Sequence, residues 1–152
     1  MKMPIVTVPP ASLKLPSVEV PSGHSIAQLV QDMVDTATHY GADGLAAVQI
    51  GAALRIIIVN VKESEPRQYV CLINPKLSKL SGLLVNKNEG CLSIPGQSLT
   101  VPRALTCEVD YHAWPNGKFQ NQKLQGRLAR IVQHEIDHLD GILITDRAVT
   151  IQ

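Results

Sequence analysis

Two histidines four residues apart, with acidic residues between them, restrict this chain more than any other feature: His134-Glu135-Ile136-Asp137-His138. The segment around them reads as a helix from about Gly126 to Leu139, stopped by Gly141. At 3.6 residues per turn, positions four apart share one face, so both imidazoles can reach a single metal ion. Glu135 is rotated roughly 100° from His134, which places it beside such an ion as a base for water rather than as a ligand. A catalytic site of this kind also needs a third protein ligand and an open position. The fold must therefore carry another stretch of chain to this helix face. The plainer alternative is a helix with two surface histidines.

Candidates for the third ligand are few. His24, His39 and His112 are isolated from any partner motif and read as surface or core histidines. Asp140 and Asp146 are the acidic residues that follow His138. Cys91 is the better candidate, lying in Glu89-Gly90-Cys91-Leu92-Ser93-Ile94-Pro95-Gly96, where glycine and proline fix the backbone around the thiol. Taken alone, such a cysteine is more often a buried structural thiol.

Composition narrows the class. At 152 residues, 45% hydrophobic and 18% charged, the chain fits one globular domain spanning 1–152. A net charge of +1 and no run of Lys or Arg disfavour direct nucleic-acid binding. Cys71, Cys91 and Cys107 are odd in number and widely spaced, which fits a reducing compartment rather than a disulfide framework. Pro4, Pro9, Pro10, Pro16 and Pro21 leave no room for a signal-like apolar stretch and make residues 1–23 an extended N-terminal arm. No segment is long enough to span a bilayer. A cytoplasmic protein is expected, in a bacterial cell or as a phage product.

Periodicity supplies the other elements. Ile26, Leu29, Val30, Met33, Val34 and Ala37 follow helical spacing, with Ser25 as N-cap and Gly41 as stop. Leu54 to Val61 is a β-branched run that reads as a buried strand, and 69–74, 83–86, 106–111 and 118–125 read as further strands. Pro115-Asn116-Gly117 makes a turn, and Ile142 to Thr145 is short and β-prone. This order predicts an α+β fold, mostly antiparallel sheets packed around a central metal-binding helix.

Three segments, Gly44-Leu45-Ala46-Ala47-Val48-Gln49, Glu89-Gly90-Cys91-Leu92-Ser93 and Gln133-His134-Glu135-Ile136-Asp137-His138, resemble in order and interval the signature motifs of peptide deformylases. Ile73-Asn74-Pro75, Val101-Pro102-Arg103 and Gly141-Ile142-Leu143 extend the likeness over most of the chain. The resemblance implies removal of the formyl group from N-formylmethionyl peptides, with no nucleic-acid or membrane partner and a monomeric state. It implies one divalent metal on Cys91, His134 and His138: Fe2+ in the cell, with Zn2+ or Ni2+ in purified protein. Glu135 would be general base and acid, and the Gln49 amide with the Leu92 backbone N–H would stabilise the oxyanion. Gly44 would let substrate backbone approach closely, and Arg103 would sit near the substrate's peptide end. Glu89 is expected to hydrogen-bond within its motif rather than act in catalysis.

The chain departs from the family pattern in two regions. The first motif usually opens Gly, apolar, Gly-Leu; here Ala42-Asp43 precede Gly44, so a carboxylate stands where relatives line the methionine pocket. On the metal helix, Arg127, Arg130 and Ile131 lie seven, four and three residues before His134 and share or border its face. Arg130 resembles organelle-type members, whereas Arg127 replaces a large apolar residue. An unpaired buried carboxylate is costly, which predicts an Asp43 pair with Arg127 or Arg130 at the pocket rim; the alternative is that all three charges face solvent. The chain also stops at Gln152 without the family's long terminal helix, as in short phage-carried forms, which argues against ribosome docking by that route. Two rival readings stay open: a zinc peptidase with a ligand after His138, and a non-catalytic relative that keeps the fold as a binding module.

Overall fold

The computed structural model describes residues 1–8 and 11–150. Its centre is strand β2, Ile56–Asn60, in which every residue is buried. β2 pairs antiparallel with β1 (Gly44–Ala46) on one side and β3 (Tyr69–Ser81) on the other. β6 (Thr106–Ala113) and β7 (Phe119–Gln125) complete a five-stranded antiparallel sheet in the order β1-β2-β3-β6-β7. β4 (Leu84–Cys91) and β5 (Ile94–Arg103) form a separate two-stranded ribbon.

Helices cover both faces of the sheet, which is why β2 reads as an unbroken apolar run rather than an alternating one. Ile57 and Val59 pack with Ile131, Val132, Ile136 and Leu139 of α2 (Arg127–Leu139), while Ile56 and Ile58 pack with Val30, Met33 and Ala37 of α1 (Ala27–Tyr40). Each such branched side chain contributes about 1.5–3 kcal/mol on burial, so a polar replacement in β2 would disturb two cores at once. Among the described residues no helix is long and apolar enough to cross a membrane.

The described residues of the N-terminal arm are tied down at several points, and Ala11–Lys14 form a single 3-10 turn where an extended stretch was expected. The Val6 N–H donates to the Gln49 carbonyl at 2.7 Å and the Val8 N–H to the Ser93 carbonyl at 2.9 Å. Further along, Leu13 is fully buried, the Ser17 N–H donates to the Leu139 carbonyl at 2.7 Å, and Val18 bridges to Leu54.

Several expected elements differ. α1 is capped by Ile26 without a side-chain hydrogen bond, so Ser25 is not its N-cap. Its end is as expected: Gly41 adopts φ 63°, a left-handed cap that glycine takes without strain. The strands expected at 69–74 and 83–86 run on to Ser81 and Cys91. β5 was hidden by Pro95, Gly96 and Pro102; it pairs only with β4, and an edge strand tolerates proline. Residues 142–145 do not form a strand. Ile144–Arg147 is instead a short helix, α3, started by the Asp146 carboxylate accepting the Leu143 N–H at 2.8 Å.

Candidate active site

From Ile131 to Leu139 every residue of α2 is buried, although five of these carry polar or charged side chains. Buried polar atoms need partners, so the partners define the site. Gln133 is satisfied by backbone: it accepts the Ala104 N–H at 2.9 Å and donates to the carbonyls of Ala104 and Ala129. Asp137 accepts from Arg103 at 2.6 Å and, through both carboxylate oxygens, from Arg147 of α3 at 2.5 and 2.9 Å. His134 uses Nδ1 on Glu89 Oε1 at 2.6 Å. Glu135 Oε1 and His138 Nδ1, by contrast, have no hydrogen-bond partner among the described residues.

The β4–β5 ribbon brings Cys91 to the same face. One donor atom each from Cys91, His134 and His138 lie within 4.8 Å of one another, with Cys91 Sγ 3.3 Å from His138 Nε2. Because Glu89 occupies Nδ1 of His134, the opposite ring nitrogen is left for a metal, an arrangement that fixes both tautomer and ring orientation. One soft thiolate and two imidazoles suit Fe(II) or Zn(II). Asp140 pairs with Arg55 and Asp146 with Lys14, which removes both from the ligand set. His24 and His112 line a separate pocket, and His39 is exposed on α1.

Electrostatics agree with a cation site. Burial pushes the Glu135 carboxyl up to about 7 against the pull of His134 and Arg103. Burial opposes charge on His134 as well, yet Glu135, Cys91 and Glu89 outweigh it and push the imidazole up to about 10. Burial drives His138 well below its ordinary value, so its ring is neutral and has a lone pair to offer. Burial works against the Glu89 carboxylate too, but hydrogen bonds from His134 and Arg103 hold it down at about 2.

Gln49 follows β1 in a single 3-10 turn, Ala47–Ile50, and is 2% exposed. Its Oε1 accepts the Ala46 N–H at 3.0 Å, which aims Nε2 at Ser93 Oγ (3.1 Å) and Cys91 Sγ (3.7 Å). Leu92, Gly44 and Ile131 line the same cleft, of about 1000 Å³. A Cβ at Gly44 would come within 2.6 Å of Glu135 Oε2, so the missing side chain makes room for the Glu135 carboxylate.

Two sequence expectations change. Arg103 does not approach the cleft; it is 5% exposed, behind the metal helix, and bonded to Glu89 and Asp137. Its guanidinium compensates the buried carboxylate that bonds His134. Arg127 likewise stays off the cleft wall and stands behind Asp43, pairing with it at 3.0 Å; the expected ion pair forms with this arginine, and Arg130 lines the cleft instead. Glu89, expected to hydrogen-bond within its own motif, bonds instead to His134 and Arg103, and Ser93 was missed as a site residue. Their roles rest on contacts 45 and 44 residues away in sequence, which no local pattern reveals.

Comparison with known proteins gives one consistent result. A family model described as polypeptide deformylase matches residues 2–152. The chain is 42% identical to a peptide deformylase of Wolbachia pipientis over 152 residues, covering 93% of this chain and 84% of that protein. It superposes with TM-score 0.89 on the Met-Ala-Ser-bound class I type b peptide deformylase of Acinetobacter baumannii, at 32% identity over 97% of this chain and 98% of that one. A probable peptide deformylase from a Synechococcus phage gives TM-score 0.88 at 34% identity, covering 96% and 99% of the two chains. With its three donors gathered at one end of a buried helix and all three motifs in register, the chain belongs to the peptide deformylase family.

Proposed function

We propose that the cleft hydrolyses the N-formyl group of formyl-methionyl peptides, with Glu135 as the proton carrier. The observation that supports this most is Glu135 itself: a carboxylate 4% exposed, one oxygen without a partner among the described residues, beside three donors that could hold a metal. A structural carboxylate in that position would be costly, whereas a general base needs a free oxygen and a raised pKa. A divalent ion on Cys91, His134 and His138 would polarise the formyl oxygen and acidify a water in the cleft.

Glu135 takes the proton of the attacking water, whose oxygen forms the new bond to the formyl carbon. Negative charge then develops on the formyl oxygen, within reach of the Gln49 amide and the Leu92 N–H. As the carbon–nitrogen bond breaks, Glu135 returns the proton to the departing amine, leaving formate and a free N-terminus. The substrate's backbone can run beside β1, the edge strand of the sheet, whose far side has no strand partner among the described residues. Iron is the proposed metal in the cell, since a thiolate with two imidazoles accommodates Fe(II) as readily as Zn(II). The protein is proposed to work as a cytoplasmic monomer.

The test is formate release from formyl-Met-Ala-Ser by anaerobically purified, iron-loaded protein, beside Glu135→Ala. Release that is abolished in the variant at equal metal content supports the reading; release that survives there removes Glu135 from it. The rival zinc-peptidase reading predicts that Cys91→Ala retains metal, whereas this one predicts its loss.

A further inference from the structure

Outside the metal centre, the charges of the cleft are unequal. Asp43 lines the cleft at the entry to β1, yet its Oδ1 accepts from Arg127 Nη2 at 3.0 Å and from Asn60 Nδ2 at 3.2 Å. Arg127 is held in turn by the Asn60 carbonyl at 2.9 Å. The carboxylate is therefore neutralised and drawn toward β2 and the start of α2. Glu89 is balanced by Arg103 behind the helix. Arg130, half-buried and lining the cleft, has no hydrogen-bond or ion-pair partner among the described residues. One unopposed cation remains.

Resting on the deformylase reading, we propose that Arg130 is a specificity-determining residue favouring formyl peptides with an acidic side chain at the second or third position. Arg127 keeps this preference in force by pairing with the Asp43 carboxylate. Arg130 precedes His134 by four residues and so lies about 6 Å along the helix from the reacting centre. An extended peptide advances about 3.3 Å per residue, so side chains one and two residues past the methionine fall at a matching distance. Ile131, buried beside Arg130, supplies the apolar contact for the methionine itself. A half-buried arginine meeting a carboxylate at such a rim changes affinity by roughly two- to fivefold, and salt weakens the effect.

The experiment compares kcat/KM for amidated formyl-Met-Asp-Ser, formyl-Met-Ser-Asp and their lysine counterparts, with formyl-Met-Ala-Ser amide as reference. Amidation removes the terminal carboxylate that would otherwise compete for Arg130. Because each ratio is taken within one enzyme preparation, partial misfolding of a variant cancels. The iron-loaded parent should favour an acidic peptide over its lysine counterpart by roughly two- to fivefold at low salt. Arg130→Leu should bring that ratio to one, Arg130→Lys should preserve most of it, and Arg127→Leu, by releasing Asp43, should lower or reverse it. Equal rates for acidic and basic peptides in the parent, or a preference that persists in Arg130→Leu, would overturn the inference while leaving the deformylase reading intact. No formate from any peptide would bring down both.

Discussion

Gly44→Ala isolates the fit between β1 and the general base. The new Cβ would lie 2.6 Å from Glu135 Oε2, 2.9 Å from its Cγ and 3.0 Å from its Cδ, whereas ordinary contact begins at 3.4 Å. Relief needs a shift of about 0.8 Å, and the carboxylate is the part free to move, since the β1 backbone is pinned to β2 in register. Glu135 is buried, so it cannot simply swing into solvent. Overpacking of this kind costs about 1–3 kcal/mol of stability, which the fold should survive. A misplacement near 1 Å at a reacting group costs on the order of 100-fold in rate, equivalent to about 2.7 kcal/mol in barrier height. The assay is steady-state formate release with metal content and thermal unfolding measured on the same preparation. The expected result is a kcat reduced roughly 10- to 100-fold with KM and metal occupancy little changed. A folded, metal-replete Gly44→Ala enzyme within twofold of the parent kcat would refute the argument that this glycine exists to admit the carboxylate.

Two other perturbations test the supports of the site. Glu89→Ala removes the carboxylate between His134 and Arg103, leaving a buried guanidinium with Asp137 alone; it should lower the melting temperature by roughly 10 °C. It should also weaken metal binding about 10- to 100-fold, and chelator competition that shows unchanged affinity would remove Glu89 from the ligand-orienting role. Cysteine titration after metal removal should find one reactive thiol, because burial pushes Cys71 up to about 12 and raises Cys107, while Cys91 lines the open cleft. Two or more fast-reacting thiols in the folded protein would contradict that assignment.

Helical spacing exposed the metal helix and α1, and the branched run exposed β2, because each of those signals lies within a dozen residues of chain. The ligand pair His134 and His138 was legible for the same reason; Cys91 stood out as a candidate from its glycine- and proline-fixed segment, and its likeness to a family motif strengthened that reading. What escaped was set at a distance. Arg103 was expected near the substrate's peptide end, but β5 carries it beneath α2, where Glu89 and Asp137 claim it. β5 itself was masked by prolines that an edge strand accommodates. Residues 142–145 favour a strand by propensity, and the Asp146 cap on Leu143 overrides that preference.

The anchoring of the N-terminal arm sets the order in which this site can come into being. The turn that carries Gln49 is fastened by Val6, the thiol of Cys91 meets His138 across 47 residues, and Lys14 reaches Asp146 across 132. Loops of that length close late, because their entropy must be lost before the contacts are gained. A chain that has formed α1 and the central sheet therefore still lacks an oriented oxyanion donor and a complete ligand set. Metal capture during refolding is therefore expected to trail the appearance of β-sheet and to report completion of the native state.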